Sequence, residues 1–183
     1  MTLSRRAALA LPLAALVASS AFAAQADDNT VVLTTKYGKI VIKLRPDLAP
    51  KHVAQIKALV KRKFYDGIVF HRVIPGFMAQ TGDPTGTGSG GSDLPNIPAE
   101  FTETPFKRGT VGMARSSDPD SANSQFFICF DDASFLNGKY TVFGEVASGM
   151  DVVDKIKKGS AADNGAVTDP DKIITMRMAG DAK

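Results

Sequence analysis

The stretch Val31-Val32-Leu33-Thr34-Thr35-Lys36-Tyr37-Gly38-Lys39-Ile40-Val41-Ile42-Lys43-Leu44 reads as a β-hairpin. Its β-branched residues favour extended backbone, Lys36-Tyr37-Gly38-Lys39 is turn-like, and Ile40, Ile42 and Leu44 recur with the period of two that places them on one face. Working outward, runs of the same character recur at Ile68 to Ile74, Phe77 to Gln80, Thr110 to Ala114, Gln125 to Phe130, Tyr140 to Val146 and Ile173 to Met178. With both arms of the hairpin they predict eight strands. Two segments have helical spacing instead. Pro50 suits a first helical position, and Val53, Ile56, Leu59 and Val60 share one face of a helix that runs to about Arg62. Ser148 and Asp151 make a capping box ahead of Val152, Val153 and Ile156, and Gly159 is placed to end that helix in a left-handed cap. Many strands and two helices predict a mainly β fold, a closed eight-stranded antiparallel β-barrel capped by two α-helices, because closure removes exposed sheet edges.

The chain of 183 residues is 44% hydrophobic and 22% charged, with 16 Gly and 10 Pro, a mixture that excludes disordered and fibrous classes. Its N-terminus has the grammar of an export signal: Arg5 and Arg6, an apolar run from Ala7 to Val17, and Ala21-Phe22-Ala23 as a cleavage site. The expectation is a signal peptide over residues 1–23, with a cut after Ala26 as the alternative, then one domain over residues 27–183 in the periplasm. Export by the general secretory or the twin-arginine route is left open. No stretch of 18 apolar residues follows the first 25 positions, so no membrane contact is expected after cleavage. Loss of Arg5 and Arg6 leaves 20 basic against 19 acidic residues, and the Lys57, Lys61, Arg62, Lys63 cluster reads as a solvated helix face. Nucleic acid is therefore not an expected partner. The single cysteine, Cys129, excludes a disulfide framework and any multi-cysteine metal site, and neither a metal nor a cofactor is expected.

The irregular stretch from Gly82 to Lys107 is long for a compact domain, and such loops usually serve function. Its Gly86-Thr87-Gly88-Ser89-Gly90-Gly91 is no phosphate loop, since no Gly-Lys-Ser/Thr follows and Pro95 and Pro98 forbid an immediate helix. The most informative segment is Phe70-His71-Arg72-Val73-Ile74-Pro75-Gly76-Phe77-Met78-Ala79-Gln80, where one arginine sits inside an apolar strand. Such a guanidinium must reach a groove or solvent, because burial without a partner is costly. Taken alone, it is also consistent with an edge arginine packed by its stem.

Two further strings are Ser124-Gln125-Phe126-Phe127-Ile128-Cys129 and Phe135-Leu136-Asn137-Gly138-Lys139-Tyr140-Thr141-Val142-Phe143-Gly144. All three, in this order, closely resemble the signature of the cyclophilin-type peptidyl-prolyl cis-trans isomerases, and the resemblance runs from about Val31 to Met178. The Gly82 to Glu100 connection and Ala114-Arg115-Ser116 look like the exported bacterial branch. The resemblance implies that Arg72 is the catalytic arginine, and that Phe77, Met78, Phe127 and Leu136 form the pocket for the substrate proline. It implies that Gln80 supports the arginine and contacts the substrate, that Ala114 and Gln125 are groove positions, and that His71 is the histidine preceding the arginine. Phe135 stands where many members carry Trp, Tyr140 where they carry a pocket-edge His, and Arg115 where they carry Asn; these departures bear on specificity and drug binding. The implied activity is isomerisation of X–Pro bonds in unfolded or partly folded exported polypeptides, by a monomer with weak cyclosporin binding. A proline-peptide-binding chaperone module with little turnover is the alternative. A serine hydrolase built on His71 or His52 lacks a recognisable nucleophile elbow, and Met176 and Met178 at alternating strand positions read as core rather than as copper ligands.

Overall fold

The computed structural model describes residues 28–182. The expected signal peptide lies outside these residues. The described residues form eight strands: β1 Thr30–Thr35, β2 Gly38–Leu44, β3 Arg72–Ile74, β4 Met78–Thr81, β5 Thr110–Met113, β6 Phe126–Cys129, β7 Val142–Ser148 and β8 Thr175–Met178. The helices are α1 Pro50–Lys61 and α2 Met150–Lys155.

The hairpin forms as its pattern predicts. Leu33 pairs with Ile40 and Val31 with Ile42, so alternate residues of both strands face the core. Gly38 closes the turn at φ 135°, a conformation that side chains resist. All eight strands are antiparallel, in the order β3-β4-β6-β5-β7-β2-β1-β8.

The expected closed barrel is not found: the sheet is an open, curled half-barrel with β3 and β8 at its two ends. Among the described residues no ladder joins those ends. The gap is crossed by single contacts, among them Gly67 N–H to Ile173 O, Phe70 N–H to Asp171 O and Val73 N–H to Gly165 O, each 2.8 Å. The two runs that would have closed the barrel are shorter than their hydrophobic patterns, since β3 starts at Arg72 rather than Ile68 and β8 at Thr175 rather than Ile173. The physical reason lies in the facing segment: Asn164, Gly165 and Asp169 have φ of 53°, 82° and 47°, so it is not extended throughout and offers only the isolated bridges Val69 to Lys172 and Arg72 to Ala166.

Helix α1 lies against β8 and β7 and buries Val53, Ile56, Leu59 and Val60. Its first turn has no capping side chain of its own. The Glu100 carboxylate supplies the cap from the long loop, accepting the backbone N–H groups of Lys51 and His52 at 3.1 Å each. Helix α2 packs on β2. It begins differently from the expected capping box: Gly149, at φ 93°, is the N-cap, and Ser148 belongs to β7. Nor is Gly159 its cap, because α2 ends at Lys155 and the Gly159 N–H bonds to Val73 O at 2.8 Å.

Strands β5 and β6 are buried on both faces, which is why Phe126-Phe127-Ile128-Cys129 is apolar without alternation. Phe126 and Ile128 enter the main core inside the sheet. Phe127 and Cys129 enter a second cluster with Met78, Phe106, Ala133, Leu136 and Val142. This second cluster underlies the site.

Candidate active site

The β3–β4 hairpin turns through Pro75-Gly76, where Gly76 adopts φ 71°, and its register sets Arg72 directly opposite Gln80. In the next pair Gln80 lies opposite Phe127, so Arg72, Gln80 and Phe127 form a row across three strands on one face. Gly112 of β5 pairs with Phe127 and leaves room for its ring: a Cβ there would lie 2.6 Å from both Phe106 Cε1 and Phe127 Cζ. The rings of Phe106 and Phe127 consequently stack, centroids 5.7 Å apart.

A depression of about 720 Å³ opens over this row. Met78, Phe127 and Leu136 are its floor, only 2%, 5% and 7% exposed. Phe77 and Phe135 make one rim, with rings 5.2 Å apart, and Phe135 is 61% exposed. Tyr140 stands edge-on to Phe127 at 6.1 Å, and Arg115 covers the outer face of Tyr140 at 4.4 Å. Ala114 and His71 complete the wall.

Arg72 is held from two sides. Its Nε donates to the backbone carbonyl of Asn164 and its Nη2 to Asn164 Oδ1, both at 2.9 Å, and its Nη1 donates to Gln80 Oε1 at 3.2 Å. Three of five N–H donors are thus engaged, leaving one on each terminal nitrogen. Burial lowers the guanidinium from its ordinary value, with Tyr140 acting in the opposite direction, yet arginine stays charged in any working range. Gln80 Nε2 in turn donates to Gln125 Oε1 at 2.9 Å. Gln125 therefore stands behind Gln80, in an adjoining polar depression of about 630 Å³, rather than in the wall of the main one. The other residues anticipated from the sequence meet around a single cavity.

Sequence reasoning missed Asn164. Its signal was the Asn164-Gly165 dipeptide, a turn sequence tolerant of left-handed backbone. Gly165 is obligatory there, since a Cβ would come within 2.5 Å of Ile74 Cγ1. Among the described residues the His71 imidazole has no partner on either ring nitrogen. Burial lowers its pKa, and the Arg72 charge adds to that while Asp83 opposes it. Cys129 is buried and its thiol is pushed up to about 12 by burial, which leaves it inert. Among the described residues, no group of three or more His, Cys, Asp or Glu side chains could hold a metal, and no helix is long and apolar enough to cross a membrane.

The sequence profile described as cyclophilin type peptidyl-prolyl cis-trans isomerase/CLD matches residues 30–178. A Brucella suis protein named "Probable peptidyl-prolyl cis-trans isomerase" is 60% identical over an alignment of 190 residues that covers 95% of this chain and 97% of its own. A cyclophilin crystal structure from Hirschia baltica superposes with a TM-score of 0.75 at 30% identity, covering 86% of this chain and 76% of that one. A Cryptosporidium parvum cyclophilin-type isomerase, crystallised in the presence of the dipeptide Ala-Pro, gives 0.74 at 30% identity over 81% and 98%. The chain belongs to the cyclophilin-type peptidyl-prolyl cis-trans isomerases.

Proposed function

We propose that the groove isomerises X–Pro bonds in exported, incompletely folded polypeptides, with Arg72 as its catalytic residue. One observation carries the assignment: a charged guanidinium, fixed by Asn164 and Gln80, keeps two free donors beside an apolar floor of Met78, Phe127 and Leu136. Rotation about an X–Pro bond is opposed by amide resonance, a barrier of roughly 20 kcal/mol. Twisting the bond releases the lone pair on the prolyl nitrogen, and only then can that nitrogen accept from Arg72. The donor therefore favours the transition state over either planar isomer. An apolar floor that holds the proline ring also disfavours the polar planar amide relative to the twisted one. A charge-assisted hydrogen bond contributes about 1.5–3 kcal/mol. A gain of about five decades, near 7 kcal/mol, also needs the positioning of the peptide by the rest of the groove.

The Ala-Pro dipeptide present with the Cryptosporidium parvum relative supports proline peptides as the substrate class. Arg5, Arg6, the Ala7 to Val17 run and Ala21-Phe22-Ala23 support export, and with it a mature protein that acts in the periplasm on other exported chains. Mass spectrometry of protein recovered from that compartment should find a chain beginning at Ala24 or Asp27; retention of Met1 would overturn this reading.

The catalytic assignment is tested with Arg72→Ala in an isomer-coupled peptide assay. Efficiency should fall at least tenfold in a protein that remains folded, and Arg72→Lys should recover little, because a compact ammonium cannot be held by Asn164 and Gln80 while still donating outward. Near-native turnover in a folded Arg72→Ala variant would overturn the role of Arg72, whereas a native protein that binds proline peptides with little turnover would leave a peptide-binding module in its place.

A further inference from the structure

We propose that Asp83 is a positioning residue for Arg72, acting through the glycine-rich loop it holds and through the amides of Gln125 and Gln80 in series. The proposal rests on the reading of Arg72 as catalytic and extends it to a residue outside the groove wall.

Asp83 lies two residues past the end of β4 and is completely buried. Its carboxylate is the centre on which the loop Thr85 to Gly90 is wound. It accepts the Thr85 N–H and hydroxyl at 2.8 Å each, the Gly88 N–H at 2.6 Å, the Gly90 N–H at 3.1 Å and the Thr87 hydroxyl at 3.5 Å. Burial alone would raise this carboxyl, but the donors from Thr85, Gly90 and Gly88 outweigh it and hold the group at about 2. The winding is close: a Cβ on Gly90 would lie 2.1 Å from Asp83 Oδ1. The glycines thus let a backbone wrap an anion that belongs to the chain itself.

The outcome is a pair of converging carbonyls. Gly88 O and Gly90 O both accept from Gln125 Nε2, at 3.0 and 2.9 Å. A glutamine amide fits a site in either of two orientations, but two carbonyls can face only its nitrogen. Gln125 must then present Oε1 to Gln80, which must turn its own Nε2 toward Gln125 and its Oε1 toward Arg72 Nη1. A reversed Gln80 would set an amide N–H against the guanidinium, donor against donor, and Arg72 would lose its hold on the strand side. The polarity of the amide series is fixed at the loop end, and Asp83 fixes the loop.

The test is a double-mutant cycle in the isomer-coupled assay, with urea denaturation of every variant and the Arg72 Nε–H resonance recorded by NMR. Asp83→Asn places an amide where the Gly88 and Gly90 N–H groups need an anion. It should lower kcat/KM about fivefold to tenfold and move the Arg72 resonance. Gln125→Leu should do the same without touching the loop's centre. Because the two act along one series, the double variant should lose no more than the worse single variant, within twofold. Losses that multiply, or a folded Asp83→Asn with native turnover and an unmoved Arg72 signal, would overturn the proposal. Should Asp83→Asn not fold, Thr85→Val, which removes one hydroxyl donor to the carboxylate, takes its place with the same non-additivity expected and a loss of about twofold. Activity surviving in Arg72→Ala would refute the catalytic reading alone, since the shift of the Arg72 resonance in Asp83→Asn still reports the positioning.

Discussion

Phe127 and Arg72 face the same groove from one row of the sheet, but the two sides they stand for are assembled differently. The Phe127 side is continuous with a hydrophobic cluster that includes Phe106, Cys129, Ala133 and Val142, so its residues pack whether or not a substrate is present. The Arg72 side is a series of hydrogen bonds among side chains from four separate stretches: β3, β4, the approach to β6, and the loop that carries Asn164. Each of those bonds contributes about 0.5–1.5 kcal/mol net, and up to about 3 kcal/mol where the guanidinium takes part. The apolar side thus serves fold and function together, whereas the polar side serves function at small cost to the fold.

The sharpest way to break that contrast is Phe127→Ala. Emptying a 5% exposed aromatic from the second cluster should destabilise the protein by about 3–5 kcal/mol and abolish proline binding at once. Arg72→Ala should cost less, about 1–2 kcal/mol, because Arg72 is partly buried outside both apolar clusters and water can replace part of the bonding it loses. Urea midpoints measured beside turnover decide the matter. A Phe127→Ala protein as stable as the native one would show that the groove floor is not structural, and a strongly destabilised Arg72→Ala would show that the polar side is.

The same contrast explains what the sequence reveals. The apolar side is written in periodicity and runs: the hairpin of β1 and β2, the doubly buried β6 and the stripe of α1 are local patterns that tertiary packing leaves intact. The groove residues from Phe77 to Leu136 are legible because they lie in strings that resemble a family. The polar side depends on partners far apart in the chain. Asn164 stands 92 positions from Arg72, and nothing periodic points to it. Asp83 lies inside a stretch legible only as irregular, because wrapping by backbone N–H groups leaves no side-chain pattern. Barrel closure failed as an expectation for a related reason: hydrophobic runs at Ile68 and Ile173 predict longer strands, while the positive φ angles at Asn164, Gly165 and Asp169 break the facing segment into isolated bridges. The Ser148 capping box failed because Gly149 supplies the turn that an ordinary side chain could not.

Acidification sharpens the comparison next. Burial holds His52 and His71 below the ordinary histidine value of 6.5; Glu100 pulls His52 the other way across a 2.6 Å contact, but the buried His52 Nε2 has no acceptor among the described residues. The unfolded chain therefore takes up protons at about pH 6.5 before the folded one does, and stability, complete above that value, falls as the pH drops below it. A second loss follows below about pH 4, as the unfolded chain protonates carboxyls that the fold keeps ionised, Asp83 and Glu100 among them. Arg72 keeps its charge throughout, so turnover per folded molecule should be flat between about pH 6.5 and 9, without the bell of an acid and base pair. The urea midpoint should be lower at about pH 5 than at about pH 7.5, and less so in His52→Gln. A midpoint that rises on acidification would contradict the burial of these neutral imidazoles.

The smallest expected effect concerns the rim, which belongs to neither side. Phe135 is 61% exposed and touches Phe77, so it contributes little to the core and lies 63 positions from Arg72 in a separate turn of 3-10 helix. The family resemblance places a tryptophan at this position in many members, with an indole N–H that donates to cyclosporin; phenylalanine has no donor. The missing bond should weaken the drug by on the order of 1 kcal/mol, with a further loss from the smaller ring. Phe135→Trp should then tighten cyclosporin several-fold while changing isomerase efficiency less than twofold, since Arg72, Asn164 and the floor of Met78, Phe127 and Leu136 are untouched. Inhibition constants and turnover measured on both forms separate the outcomes. Equal inhibition would mean that the Phe77–Phe135 rim lies outside the drug's footprint, whereas a large gain in turnover would mean that the rim takes part in holding the proline.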